Sequence, residues 1–231
     1  MAKILALDTS SDACSVALWN DGELTELLEA TPRAHAKRCL PMIDSLLGDS
    51  GLRVEQLDAL AFGRGPGSFT GLRIAAGMVQ GLAFGADLPV IPVSTLQAMA
   101  FAWFKRQESP PGQAICLLDA RMSEVYWAGY EHSTDGVKEI YAEQVAPPEM
   151  VDVKVSKQEV VILGSGLVYL ERLPAALIES SVIREPEWAP RAAAMAEIAA
   201  SMFEMGLTVS AIEAQPIYLR DEVAWKKLPG R

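Results

Sequence analysis

The sequence predicts an α/β chain folded as two related lobes, and two internal parallels carry that prediction. Residues 4–22 run strand, Asp8, polar turn, strand Cys14–Trp19, then the turn Asn20-Asp21-Gly22. Residues 114–136 repeat this plan as strand Ala114–Leu118, Asp119, turn, strand Glu124–Glu131 and a turn at Asp135-Gly136. Later in each half an apolar strand enters a Gly-x-Gly turn: Leu57–Phe62 leads to Gly63-x-Gly65, and Val160–Leu163 to Gly164-x-Gly166, each with a helix expected after it. Such duplication points to two copies of one unit. The turn-forming stretch from Gln107 to Gly112 (Gln-Glu-Ser-Pro-Pro-Gly) separates them and divides the chain into 1–106 and 107–231.

In the first lobe, short apolar runs bounded by turn residues place strands at 3–8, 13–19 and 22–29. A helix at 35–48 follows, with an apolar stripe of Cys39, Leu40, Met42, Ile43, Leu46 and Leu47 that is broader than one core-facing side requires; Pro41 predicts a kink in it. Then come a strand at 57–62, a helix at 70–85, a strand at 89–93 and a helix at 94–105, for which Ser94 is the expected cap. Three antiparallel strands followed by α-β-α-β-α is the ribonuclease H-like arrangement. Two such lobes make the actin/hexokinase/Hsp70-type (ASKHA) architecture, in which a cleft between lobes holds ATP. In the second lobe a helix at 190–206 is marked by Ala192, Met195, Ile198, Ala199 and Met202.

Half of the 231 residues are hydrophobic and 22% are charged, a globular profile. The N-terminus reads as a strand interrupted by Asp8 rather than a signal peptide. No segment approaches the ~18 apolar residues of a membrane span. Cys14, Cys39 and Cys116 are sparse and unpaired in sequence, which suits buried thiols in a reducing cytoplasm. The net charge of −10 argues against broad phosphate binding, so a nucleic-acid role would run through a partner. The one basic cluster is the tail, with Arg220, Lys226, Lys227 and Arg231.

The richest segment is Gly63-Arg-Gly-Pro-Gly-Ser-Phe-Thr-Gly-Leu-Arg73. Glycines at a strand-to-helix junction permit positive φ and close approach, and the helix N-terminus favours an anion. There is no Walker lysine and the spacing misses G-x-G-x-x-G, so Gly65, Gly67 and Ser68 are either an anion cradle or a tight connector. Ser68 and Thr70 read as caps, because the nucleophile elbow would need glycine at position 70. Asp8 and Asp119 end the first strand of each lobe. Each either faces a cleft metal through water or caps its turn, with the cap favoured for Asp119. The two histidines, His35 and His132, make no shared helical pair; His35 and Cys39 are four apart, without a visible third ligand. Gly77, Gly81 and Gly85 recur every four residues on the helix after the turn. Glycine is unfavourable in a helix interior, so the stripe marks close packing, either within the lobe or against another subunit.

Ile4–Thr9, the Gly63–Arg73 run, Pro89–Thr95, Leu118-Asp-Ala-Arg-Met-Ser-Glu-Val-Tyr126 and Pro216-Ile-Tyr-Leu-Arg220 resemble the TsaB (YeaZ) family nearly end to end, and Val223–Gly230 resembles its proteobacterial branch. The resemblance implies a subunit of the bacterial machinery that makes threonylcarbamoyladenosine in tRNA, beside the anticodon. It implies a homologous catalytic partner, TsaD, that carries the metal, an ATPase, TsaE, and self-association when the chain is alone. Pairing would run through helices of the first lobe, which places His35, Cys39, Met42, Ile43, Leu46, Ile74, Gly77, Met78, Gly81 and Gly85 at the interface. In the sister family, metal-binding histidines follow the Pro-x-Ile-Pro-Val strand. Here Thr95 and Met99 stand at those positions, and neither replaces an imidazole ligand. The implied role is a non-catalytic scaffold that meets tRNA only through the complex and binds no membrane. No tight cofactor is implied for this chain; ATP and the divalent metal belong to the partners. Two other readings are an independent ATP-cleft enzyme, motivated by Asp8 and the glycine turn, and a metallopeptidase.

Overall fold

The computed structural model describes residues 2–30, 34–134, 136–154 and 159–220. The basic-tail residues Lys226, Lys227 and Arg231, and the segment 223–230, lie outside them.

The first half runs β1 (Lys3–Asp8), β2 (Ala13–Asn20), β3 (Glu23–Ala30), α1 (His35–Asp49), β4 (Ala59–Gly65), α2 (Phe69–Ala86), β5 (Val90–Ser94) and α3 (Thr95–Lys105). The second runs β6 (Gln113–Asp119), β7 (Val125–Ser133), β8 (Gly136–Ala146), β9 (Val160–Leu163), α4 (Ala175–Ser180), β10 (Ser181–Glu185) and α5 (Ala192–Glu204). The strands form two five-stranded sheets, ordered β3-β2-β1-β4-β5 and β8-β7-β6-β9-β10. The central strands match: Leu5 pairs antiparallel with Leu18 and parallel with Leu60, while Ile115 pairs antiparallel with Gly129 and parallel with Ile162. This is the duplicated ribonuclease H-like order, and the chain has the two-lobed ASKHA-type α/β architecture.

Side-chain alternation explains the layers. Leu5 and Leu7 of β1 enter the core beneath α1 and α2, while Ile4 and Ala6 enter the opposite core. That second core contains a finding that chain order hides. Its helical cover is α5, whose Ala192, Met195, Ile198 and Ala199 lie on β1, β2, β4 and β5. The helix expected at 190–206 within the second lobe thus packs on the first sheet. Reciprocally, α3 of the first half packs Leu96, Met99, Trp103 and Phe104 against Cys116, Tyr130 and Leu163 of the second sheet. The two helices touch each other and form the middle layer of the molecule.

Local signals hold with a few corrections. Ser68 and Ser94 cap α2 and α3, accepting from the Gly71 and Gln97 N–H groups at 3.3 and 3.0 Å. Thr70 is no cap; it is the second residue of the helical run. Pro41 sits inside α1 on its exposed side, and the helix continues past it. After Gly164 the expected α-helix is a 3-10 stretch, Ser165–Arg172, non-helical at Tyr169. A short run between Gly164 and Pro174 leaves little length for α-helix propagation.

Candidate functional site

The turn from β4 into α2 is filled by the chain's own atoms. A Cβ at Gly71 would fall 1.8 Å from the Thr9 carbonyl oxygen, and one at Gly67 would fall 2.7 Å from the Ser10 Cβ. The Thr9 hydroxyl donates to the Gly71 carbonyl at 2.7 Å, and the Ser68 N–H donates to the Ser10 carbonyl at 2.8 Å. Gly65 has φ +110°, and its Cβ position lies 2.9 Å from the Ile217 carbonyl oxygen. The glycines therefore let the β1–β2 loop and the 214–220 segment approach the backbone. Those close approaches are made within the chain, and the Gly71 N–H is capped by Ser68.

Asp8 and Asp119 both cap the loop after their strand. Asp8 Oδ1 accepts from the Ser10 N–H at 3.2 Å and the Ser10 hydroxyl at 2.9 Å; Asp119 Oδ1 accepts from the Arg121 N–H at 2.8 Å. Asp8 is only 1% exposed, and its Oδ2 has no hydrogen-bond partner. Burial pushes its carboxyl up from 3.8 to about 6, against the opposing pull of the Ser10 bonds and His35. A Cβ at position 63 would fall 2.2 Å from Asp8 Oδ2, so any larger residue there would have to displace that buried carboxylate. His35 Nε2 is 2.8 Å from the Ser11 carbonyl, which ties the start of α1 to the same loop. Cys39 Sγ lies 3.2 Å from Cys14 Sγ rather than beside His35 as a ligand. Among the described residues no group of three His, Cys, Asp or Glu side chains forms a metal-ligand set. Thr95 and Met99 are fully buried, Met99 within the core between α3 and the second sheet.

The interface residues expected on α1 do not face outward. Cys39, Met42, Ile43 and Leu46 are between 0% and 3% exposed and belong to the core above the first sheet, and His35 is also buried. The outward side of α1 instead carries Leu40, Pro41 and Asp44. The α2 stripe behaves differently. Gly77, Gly81 and Gly85 are exposed, and a Cβ at any of them meets nothing within 4 Å. Packing within the lobe does not account for them. Ile74 and Met78 flank the stripe half-buried, and Phe84 beside it is 77% exposed.

The chain matches the family model described as "TsaD: tRNA N6-adenosine threonylcarbamoyltransferase" over residues 29–228. It is 47% identical to the tRNA threonylcarbamoyladenosine biosynthesis protein TsaB of Haemophilus influenzae, covering 99% of this chain and 98% of that protein. It is 46% identical to the TsaB of Escherichia coli K12, covering 99% of both. The solved structure of YeaZ from Pseudomonas aeruginosa superposes with a TM-score of 0.89 at 40% identity, covering 95% of this chain and all of that one. The chain belongs to the TsaB family.

The TsaB-like segments that carried the resemblance meet in space. Arg220, at the end of the Tyr-Leu-Arg segment, bonds the Glu124 carboxylate and the Ala120 carbonyl (3.4 Å) in the loop after Asp119. Arg220 is thus tied into the fold rather than part of a solvated tail. Sequence reasoning missed this pairing, as it missed Phe84 and the aromatic pair Phe69–Tyr218, whose rings lie 5.5 Å apart with the Arg73 guanidinium over both. Phe84 had a legible signal, a large aromatic on a stripe of glycines; the Arg220 contact spans 96 residues and had none. No helix among the described residues is long and apolar enough to cross a membrane.

Proposed function

We propose that this TsaB-family chain is a non-catalytic scaffold in the synthesis of threonylcarbamoyladenosine in tRNA, acting in the cytoplasm. It binds and activates TsaD, helps recruit TsaE, and meets tRNA only within that complex. Alone, it pairs with a second copy through the same face. ATP and the divalent metal are handled by the partners. The observation that carries this reading is the open α2 face, where three exposed glycines lie beside exposed Phe84. Small residues on one stripe let a second helix approach closely, and the apolar neighbours supply the area such a contact buries. Thr95 and Met99, buried and without an imidazole to offer a metal, support the non-catalytic part.

The test is reconstituted tRNA modification with TsaC (the upstream enzyme that supplies threonylcarbamoyl-AMP), TsaD, TsaE, ATP, threonine and bicarbonate, with and without this chain. Product should form only when the chain is present, and the chain alone should neither hydrolyse ATP nor modify tRNA. Unchanged product without it would sink the reading, and turnover of ATP by the isolated chain would favour an independent ATP-cleft enzyme.

A further inference from the structure

Arg64 lies between Gly63 and Gly65 and makes contacts at both ends. Its carbonyl accepts from the Ile217 N–H at 2.8 Å. Its guanidinium reaches across to Glu143 of β8, in the second sheet, at 3.0 Å. The Glu143 side chain is 8% exposed, and its other carboxylate oxygen takes the hydroxyl of Ser94, the cap of α3. One arginine thus joins the first sheet, the second sheet and the 214–220 segment.

That segment is itself a strap between the lobes. At its start the Gln80 side-chain amide donates to the Ala214 carbonyl at 3.0 Å. Midway, Tyr218 packs on Phe69 at the start of α2. At its end Arg220 grips the loop joining β6 to β7. In that loop Arg121, Met122 and Ser123 have φ of 63°, 54° and 61°, three successive left-handed residues without a glycine. Non-glycine residues adopt this conformation rarely and almost never in succession, so something must hold it. Asp119 holds one side of the loop and Arg220 the other.

We propose that the glycine turn is a lobe lock. Arg64 and the 214–220 strap fix the two sheets at one angle, and the strap's backbone takes the space over Gly65 that a nucleotide entering between the lobes at this turn would need. The chain is a rigid block rather than a hinged clamshell. The inference concerns this chain alone and stands or falls separately from the scaffold reading.

Cys14, Cys39 and Cys116 are buried, so spin labels placed at exposed Asp49→Cys and Glu179→Cys report the distance between lobes by double electron–electron resonance. The full chain should give one narrow distribution, unchanged by Mg-ATP. In the double variant Arg64→Ala/Arg220→Ala the distribution should broaden. Amide exchange at residues 120–124 should rise about tenfold or more, the scale expected for losing a charge-assisted bond that holds a local structure closed. The swap Arg220→Glu with Glu124→Arg should restore that protection. If the double variant fails to fold, Ile217→Pro, which removes the N–H donated to Arg64 and fixes the strap's backbone at that residue, replaces it with the same expected broadening. A distribution in the full chain that shifts with Mg-ATP, or a folded lock variant with unaltered distribution and exchange, would overturn the proposal.

Discussion

Replacing Gly77, Gly81 and Gly85 together by alanine should make the isolated chain more stable and its assembly weaker. Each glycine lies inside α2, where alanine is favoured by about 0.8–1 kcal/mol through the lower entropy of the unfolded chain and better helix propensity. No added methyl meets an atom within 4 Å, so there is no clash to subtract. The three changes therefore sum to about 2–3 kcal/mol. For a chain of this length about 1 kcal/mol moves the melting temperature by about 2–4 °C, so the rise is roughly 4–12 °C. Melting must be followed at protein concentrations low enough that self-association contributes nothing. The same three methyls would hold an approaching helix away, so sedimentation or titration against TsaD should show binding weakened at least tenfold. The opposite signs are the point of the experiment. A fall in melting temperature would mean the stripe is already packed within the chain. Unchanged binding with the expected rise would mean the partner docks elsewhere.

Three further outcomes follow from the site. Gly71→Ala should destabilise the fold by about 3 kcal/mol or more in urea unfolding, because the Thr9 carbonyl 1.8 Å from the new Cβ is backbone and cannot rotate away. Asp8 should make stability fall with rising pH. Its folded value of about 6 exceeds the ordinary 3.8, so between those values the native state holds more protons than the unfolded chain. The stability it contributes is present below about 3.8 and lost by the time pH passes 6, an amplitude of about 3 kcal/mol; urea midpoints across pH 4–7 should show this slope, and Asp8→Asn should remove it. Thr95→Val should be neutral or stabilising by about 1 kcal/mol, since the Thr95 hydroxyl is buried with no partner and valine keeps its shape; a calorimetric loss would reveal a bond to that hydroxyl.

What the sequence disclosed, and what it concealed, divides along contact range. Strand runs, the Asp21-Gly22 hairpin and the Ser68 and Ser94 caps rest on neighbours within a few residues and appear as expected, and the duplicated topology was legible only because one local plan occurs twice along the chain. On α1 the apolar residues from Cys39 to Leu47 sweep about 160° at 100° per residue, which looked wide enough for a second contact. All but Leu40 are absorbed by the first sheet and α2, because a helix resting in the hollow of a twisted sheet is wrapped on more than one side. The glycine turn stood out in the sequence, yet its two chemistries were indistinguishable there. A glycine admits a phosphate or a backbone carbonyl equally well, and the Thr9, Ser10 and Ile217 atoms that fill it come from loops whose arrival no local pattern announces. Arg64 drew no reading of its own, because its carboxylate partner lies 79 residues away.

The exchange of α3 and α5 across the middle layer bears on how this polypeptide is born. When the ribosome has delivered β5 and α3, the first sheet still bares Ile4, Ala6, Ala61 and Ile91 on one side, awaiting a helix that ends at Glu204. At ordinary elongation rates that is a delay of about 5–20 s with an apolar surface open to chaperones or to other nascent chains. A fragment stopped after Lys105 should remain insoluble or chaperone-bound, whereas the finished chain should close both sheets in one cooperative step.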